Sequence, residues 1–128
     1  MAKRATPEFD LHRQVVAWLP LVMPKGSLWH HSPNEGKHKV QYRRKLSLMG
    51  VCAGWPDLQF VVPFSHYLDG QRQVDIYVEL KAAKGRVSPV QQAVIERLRA
   101  AHRHVEVCRS LDEVQQFLGG IIRLRGVA

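Results

Sequence analysis

A mixed β-sheet flanked by α-helices is the fold class that this sequence predicts, on three observations. Segments 57–62 (DLQFVV) and 74–81 (VDIYVELK) are rich in β-branched and aromatic residues, with an Asp69-Gly70 turn signal between them, and read as the two arms of one hairpin. Residues 27–31 and 104–108 read as two further short strands. Helical stretches with apolar stripes and capping residues separate them, so the order is helix, strand, helix, hairpin, helix, strand, helix, which suits mixed α/β layers.

The elements follow in order. Thr6-Pro7-Glu8 reads as N-cap, first helical residue and first-turn acid, opening a helix to about Leu19, where Pro20 is expected to end it. Leu11, Val15, Trp18, Leu19 and Val22 form its apolar stripe, and Glu8, Leu11, His12 and Val15 occupy adjoining positions of one face. A short strand at 27–31 leads to a Pro33-Asn34-Glu35-Gly36 turn. Residues 38–49 form a basic helix that Gly50 stops as a left-handed cap. After the hairpin, Lys84-Gly85-Arg86 reads as a flexible basic link. Ser88-Pro89 opens a helix to about Ala101 with Val94, Ile95, Leu98 and Ala101 apolar, and Gln91 in its first turn faces back toward the end of the 74–81 strand. Strand 104–108 precedes a capping box, Ser110 to Glu113, and a last helix closed by Gly119-Gly120. At 128 residues the chain is expected to form one domain, with a core over about 6–119 and a mixed apolar and basic tail at 120–128 that is expected to meet a partner.

Composition narrows the class of function. Nineteen Lys and Arg against eleven Asp and Glu give a net charge of +8, which favours a polyanionic partner, because phosphate contacts release counterions. Lys37, Lys39, Arg43, Arg44 and Lys45 cluster ahead of the hairpin; at helical spacing Lys37, Arg44 and Lys45, or Lys39 and Arg43, share a face. With Lys84 and Arg86 they are the candidate nucleic-acid contacts. No run approaches the roughly 18 apolar residues of a membrane span. The apolar stretch 15–23 follows Glu8 and Asp10, contains Pro20 and has no cleavage site after it, so no export signal is read there. Cys52 and Cys108 are too few for a disulfide framework or a zinc knuckle, and a reducing, cytoplasmic interior is expected. None of the seven histidines has a recognised ligand spacing: His30 and His31 alternate across a strand, and His102 and His104 flank a helix end, so structural zinc is not expected.

The chemistry lies in the hairpin. Glu79 and Lys81 share one face with Asp75 and Tyr77, while Val74, Ile76, Val78 and Leu80 take the other. Symmetric pairing with Val62 opposite Val74 also sets Asp57 opposite Glu79, with Cβ atoms about 4.5–5.5 Å apart. Two carboxylates that close repel unless a proton or a cation lies between them. Hard oxygen ligands suit Mg²⁺ or Mn²⁺, and Lys81 adds a positive charge beside that ion. Pro-Asp alone is ordinary turn chemistry, and Glu-x-Lys alone is usually a solvated strand face. Gly54-Trp55-Pro56-Asp57, a strand, a turn and a strand ending in Glu-x-Lys form a much rarer combination.

Taken with Ser88 to Gln92 (SPVQQ), these motifs resemble the VRR-NUC domain, a branch of the PD-(D/E)xK nucleases of viral and phage replication-repair proteins. The resemblance spans about residues 6–119 and takes in Glu8, the 33–36 turn, Met49-Gly50 and the final strand and helix. The insert from Pro63 to Gln73 is longer than the turn expected there. The resemblance implies a restriction-endonuclease-like core and metal-dependent hydrolysis that leaves a 5′-phosphate and a 3′-hydroxyl. It assigns Asp57, Glu79 and the Leu80 backbone carbonyl as metal ligands, with Glu8 reaching the metal or a water on it. Lys81 would position the attacking water and stabilise transition-state charge, and Gln91 would orient water or a ligand. As a plain structural residue, Glu8 would only complement the helix dipole, and Gln91 would be helix surface.

The expected activity is a structure-selective DNA endonuclease, of the kind that resolves Holliday junctions as a homodimer in DNA repair. The dimer would use apolar surface on the first helix or at Ile121–Leu124. A nicking, flap or exonucleolytic repair enzyme of the same fold is the alternative. A catalytically silent DNA-binding module fits less well with an intact Asp57, Glu79 and Lys81.

Overall fold

The apolar stripe of the first helix and the alternation of the hairpin meet in one core. The computed structural model describes residues 6–32 and 40–126; the expected 33–36 turn, Lys37 and Lys39 lie outside them. The elements are α1 (Pro7–Val22), β1 (Leu28–His31), α2 (Val40–Leu48), β2 (Leu58–Val61), β3 (Ile76–Leu80), α3 (Pro89–Ala100), β4 (His104–Cys108) and α4 (Leu111–Gly119). The strands form one mixed sheet in the order β1-β2-β3-β4, with β1/β2 and β2/β3 antiparallel and β3/β4 parallel.

Strand alternation divides the side chains between two layers. On one face Leu58, Phe60, Ile76, Val78, Leu80 and Cys108 pack with Leu11, Val15 and Leu19 of α1 and Val114 and Leu118 of α4. On the other, Tyr77 and Val105 pack with Ile95 of α3, edged by Trp55 and Leu98. All five residues of β3 are buried, because it is covered on both faces. Cys108 is a packing residue; burial and the nearby Glu106 and Glu113 push its thiol up to about 12, which makes it a poor nucleophile. The hairpin register is the expected one: Leu58 pairs with Val78, Gln59 with Tyr77 and Phe60 with Ile76.

Four expectations need correction. Helix α1 runs through Pro20 to Val22. A mid-helix proline ordinarily costs about 3 kcal/mol, but here it falls in the last turn, whose carbonyls find a partner from the far end of the chain. Arg125 donates through Nε to the Met23 carbonyl at 2.7 Å and through Nη2 to that of Pro20 at 3.0 Å, while its backbone N–H meets Val22 at 2.6 Å. The tail is likewise no free apolar surface. Ile121 and Ile122 are buried in the main core, and Leu124 packs against it.

The tail also organises the long insert. Phe64–His66 form a 3₁₀ turn, Tyr67 bridges to Ile122, and the Leu68 N–H donates to Ile121 at 2.8 Å. The 84–86 link is not loose: Arg109 Nη1 donates to the carbonyls of Ala82 at 2.8 Å and Gly85 at 2.6 Å. Finally, the capping box of α4 is only half formed. The Ser110 hydroxyl accepts the Glu113 N–H, but the Glu113 carboxylate takes the N–H of Arg109.

Arg125→Ala should lower the unfolding free energy by about 1–3 kcal/mol, the usual range for losing hydrogen bonds from a charged donor to helix-end carbonyls. Urea melts check this, and Arg125→Lys should recover only part of the loss, since a compact ammonium on a flexible stem lacks the fixed, planar spread of donors that reaches both carbonyls.

Candidate active site

The site lies at one end of the sheet, where β1 ends, β2 begins and β3 ends. Asp57 immediately precedes β2, and Glu79 lies on β3, 8% and 2% exposed. They are the two buried charged residues among the described part of the chain. Each carboxylate is held by the other strand's backbone. The Asp57 N–H donates to Glu79 Oε1 at 3.1 Å, and the Leu80 N–H donates to Asp57 Oδ2 at 2.7 Å. The register that sets Asp57 opposite Glu79 therefore also supplies the donors that fix both side chains.

The approach to Asp57 depends on Gly54. Its φ is +83°, and a Cβ there would lie 2.8 Å from the Val90 carbonyl oxygen, so the loop can press against the start of α3 only without a side chain. Trp55 then meets Tyr77 edge to face at 5.5 Å.

Gln91 arrives from α3. Its Oε1 accepts the Ser88 N–H at 2.9 Å, the Ser88 hydroxyl accepts the Gln91 N–H at 3.1 Å, and its Nε2 donates to Glu79 Oε2 at 2.7 Å. One side chain thus closes the helix cap and holds the buried carboxylate. Lys81 Nζ lies 3.6 Å from Glu79 Oε2 and 3.9 Å from Glu8 Oε1 on α1. Glu8, Asp57, Glu79, Lys81 and Gln91 therefore come together, and Leu80 joins them through its N–H. The expected DNA-contact residues are elsewhere: Arg43, Arg44 and Lys45 are exposed on α2, and Lys84 and Arg86 on the loop after β3.

Two residues at this end were not among the sequence candidates. His12, one turn beyond Glu8 on α1, and His31, at the end of β1, place a ring nitrogen each within 4.8 Å of a carboxylate oxygen of Asp57 and of one another. Helical spacing from Glu8 hints at His12. His31 enters through the pairing of β1 with β2, which no local spacing reveals.

Glu79 has a strongly displaced acidity. Its carboxyl is raised from 4.5 to about 9, first by burial and then by the Asp57 carboxylate beside it; Lys81 opposes this and is outweighed. Without a cation, burial and the Asp57 carboxylate favour the protonated form of Glu79, which weakens its pairing with Lys81.

The VRR-NUC domain model matches residues 4–112. The chain belongs to the VRR-NUC family. This is a nuclease domain family within the PD-(D/E)xK superfamily. A solved structure described as a VRR_NUC domain protein has a TM-score of 0.65 and 24% identity, covering 91% of this chain and 88% of that one. A second, described as a VRR_NUC domain, has a TM-score of 0.56 and 21% identity, covering 90% and 97%. Both bear out the mixed α/β fold. No curated protein matches the chain. The family assignment bears out the nuclease class, and among the described residues no helix is long and apolar enough to cross a membrane.

The raised pKa of Glu79 predicts how the metal-free VRR-NUC domain responds to pH. Between about 4.5 and 9 the unfolded chain has an ionised Glu79 and the folded one a protonated Glu79, so the folded state binds more protons. This group's contribution to stability is full below the unfolded value and is lost as pH rises through that window. Denaturant midpoints measured in chelator should fall from pH 5 to pH 9, and Glu79→Gln should flatten the decline; parallel profiles for the two proteins would contradict the assignment.

Proposed function

We propose that this domain is a divalent-metal-dependent endonuclease for branched DNA, hydrolysing phosphodiester bonds as a junction resolvase. The observation that carries the reading is the buried Asp57–Glu79 pair, fixed by reciprocal backbone donors, whose burial and mutual repulsion outweigh the nearby ammonium of Lys81. Burying two carboxylates together is costly without a compensating cation. The donor set fits Mg²⁺ or Mn²⁺: Asp57 and Glu79 would hold it, with the Leu80 carbonyl, and Glu8 would hold it directly or through water. Such an ion, when bound, supplies Lewis acidity and a water of lowered pKa.

The chain's own groups have distinct tasks. Gln91 Nε2 holds one oxygen of Glu79 so that the carboxylate cannot rotate away. The Lys81 side chain, only 12% exposed, places an ammonium beside Glu79 and Glu8, where it stabilises charge gathering on a phosphoryl group and orients the attacking water. Arg43, Arg44 and Lys45 on α2 and Lys84 and Arg86 after β3 supply phosphate contacts, as do Lys37 and Lys39 in the basic stretch. The net charge of +8 supports DNA as the substrate.

Two cuts in a near-two-fold junction call for two sites related by a closed interface. Phe9, Val16 and Leu21 leave apolar surface exposed on α1 for a second copy, whereas Ile121 and Ile122 are spent inside the chain. A monomeric mass at micromolar concentration, unchanged by DNA, would favour a nicking or flap enzyme instead.

Asp57→Asn and Glu79→Gln should each lower cleavage of a four-way junction in Mg²⁺ by at least about 100-fold, the scale for losing a preorganised electrostatic group. Junction binding in chelator should persist or tighten, because the basic surface is untouched. Lys81→Met should abolish cleavage with metal binding retained. Wild-type cleavage by Asp57→Asn would show the assignment to be wrong.

A further inference from the structure

One side of Asp57 is lined by nitrogen. Asp57 Oδ2 accepts the Leu80 N–H on the β3 side. His12 from α1 and His31 from β1 also converge on this carboxylate, one ligand atom from each of the three residues lying within 4.8 Å of the others. Two ligands on opposite sides of an ion with metal–nitrogen bonds of about 2.0–2.1 Å stand roughly 4 Å apart, so little movement would close the set.

The tautomer of His31 is fixed by its partner. Its Nδ1 lies 3.1 Å from the Asp57 backbone carbonyl, and a carbonyl can only accept, so Nδ1 carries the hydrogen. In the neutral ring Nε2 then carries the lone pair that a metal needs. Metal-bound histidines characteristically have their other ring N–H on a carbonyl or carboxylate in this way. The His12 and His31 rings meet edge to face, with centroids 4.5 Å apart. Asp57 thus fixes the His31 ring with its backbone and offers a carboxylate oxygen to the same group.

We propose that His12, His31 and Asp57 form a second cation site, which shares Asp57 with the Asp57–Glu79 site and takes a first-row transition cation such as Mn²⁺ in preference to Mg²⁺. Imidazole nitrogen suits borderline transition ions, whereas Mg²⁺ prefers an all-oxygen shell and holds its waters. The sharing of Asp57 rests on the metal reading of the Asp57–Glu79 pair; the imidazole site itself does not need Glu79. The two histidines are accordingly specificity-determining residues for the cation.

The test uses Mn²⁺ alone on the full chain, followed by electron paramagnetic resonance, with excess Mg²⁺ as competitor. Wild-type protein should show ¹⁴N modulation of the bound Mn²⁺ signal that survives the Mg²⁺. His12→Phe and His31→Phe keep an aromatic ring without its nitrogens. Each should weaken this binding by more than about tenfold, a loss that even an outer-shell partner can cause, and the double variant should lose the modulation. His30→Phe, next to His31 on the strand and directed to the opposite face, should change nothing. Glu79→Gln should keep the ¹⁴N signal while losing the Mg²⁺-displaceable ion, which separates failure of this proposal from failure of the Asp57–Glu79 reading. Absence of ¹⁴N modulation in the wild-type protein overturns the proposal without recourse to any variant. Its persistence in a double variant with an unchanged melting temperature overturns it equally.

Discussion

The closeness of two buried carboxylates is the constraint on which the rest of the molecule depends. Asp57 and Glu79 face each other because β2 and β3 pair in a single register, and each takes a backbone N–H from the opposite strand. A slip of one residue would put the two side chains on opposite faces of the sheet and break both hydrogen bonds. The core holds that register: Leu58, Phe60, Ile76, Val78 and Leu80 fill the face under α1 and α4, while Tyr77 fills the other under α3. The cost of pressing two acids together appears as the raised pKa of Glu79. Stability is given up locally, as is usual where a fold keeps a charged site ready for a ligand.

Helix ends deliver the remaining groups. The first turn of α1 brings Glu8, and the next turn His12. The first turn of α3 brings Gln91, whose side chain completes the helix cap and reaches Glu79. That coupling ties the position of a buried acid to the capping of a helix, and Gly54 lets the Asp57 loop close against the same turn. At the far end of α1, Arg125 takes carbonyls that the helix terminus leaves over, and the tail it belongs to clasps the 63–73 insert. The insert is therefore a packed part of the fold, and the tail that reads as a docking segment is already docked.

Much of this was legible in the chain. Period-two alternation in 74–81 and the caps at Thr6 and Ser88 are local signals, and each fixed an element together with the face it buries. The hairpin register followed from symmetric pairing, even across the long connection. What escaped was carried by contacts distant in sequence. Pro20 does not stop α1, because Arg125 and a buried stripe reaching Val22 override the local preference. Ile121 and Ile122 look free until Tyr67 and Leu68 are seen beside them. His31 joins the site only because β1 lies next to β2, and His12 only because α1 crosses that end of the sheet. Histidine spacing along the chain contained no trace of their meeting.

Whether the Asp57–Glu79 pair is built around a cation decides what this end of the sheet can do. Thermal unfolding of the wild-type protein and of Glu79→Gln near pH 7, with and without Mg²⁺, tests this most directly. A ligand at a hundredfold excess over its Kd stabilises the folded state by about 2.7 kcal/mol. Mg²⁺ should therefore raise the melting temperature of the wild-type protein and leave that of Glu79→Gln nearly unchanged, with the variant more stable than the wild type when no metal is present. Equal shifts for the two proteins, or none for the wild type at millimolar Mg²⁺, would contradict the central claim.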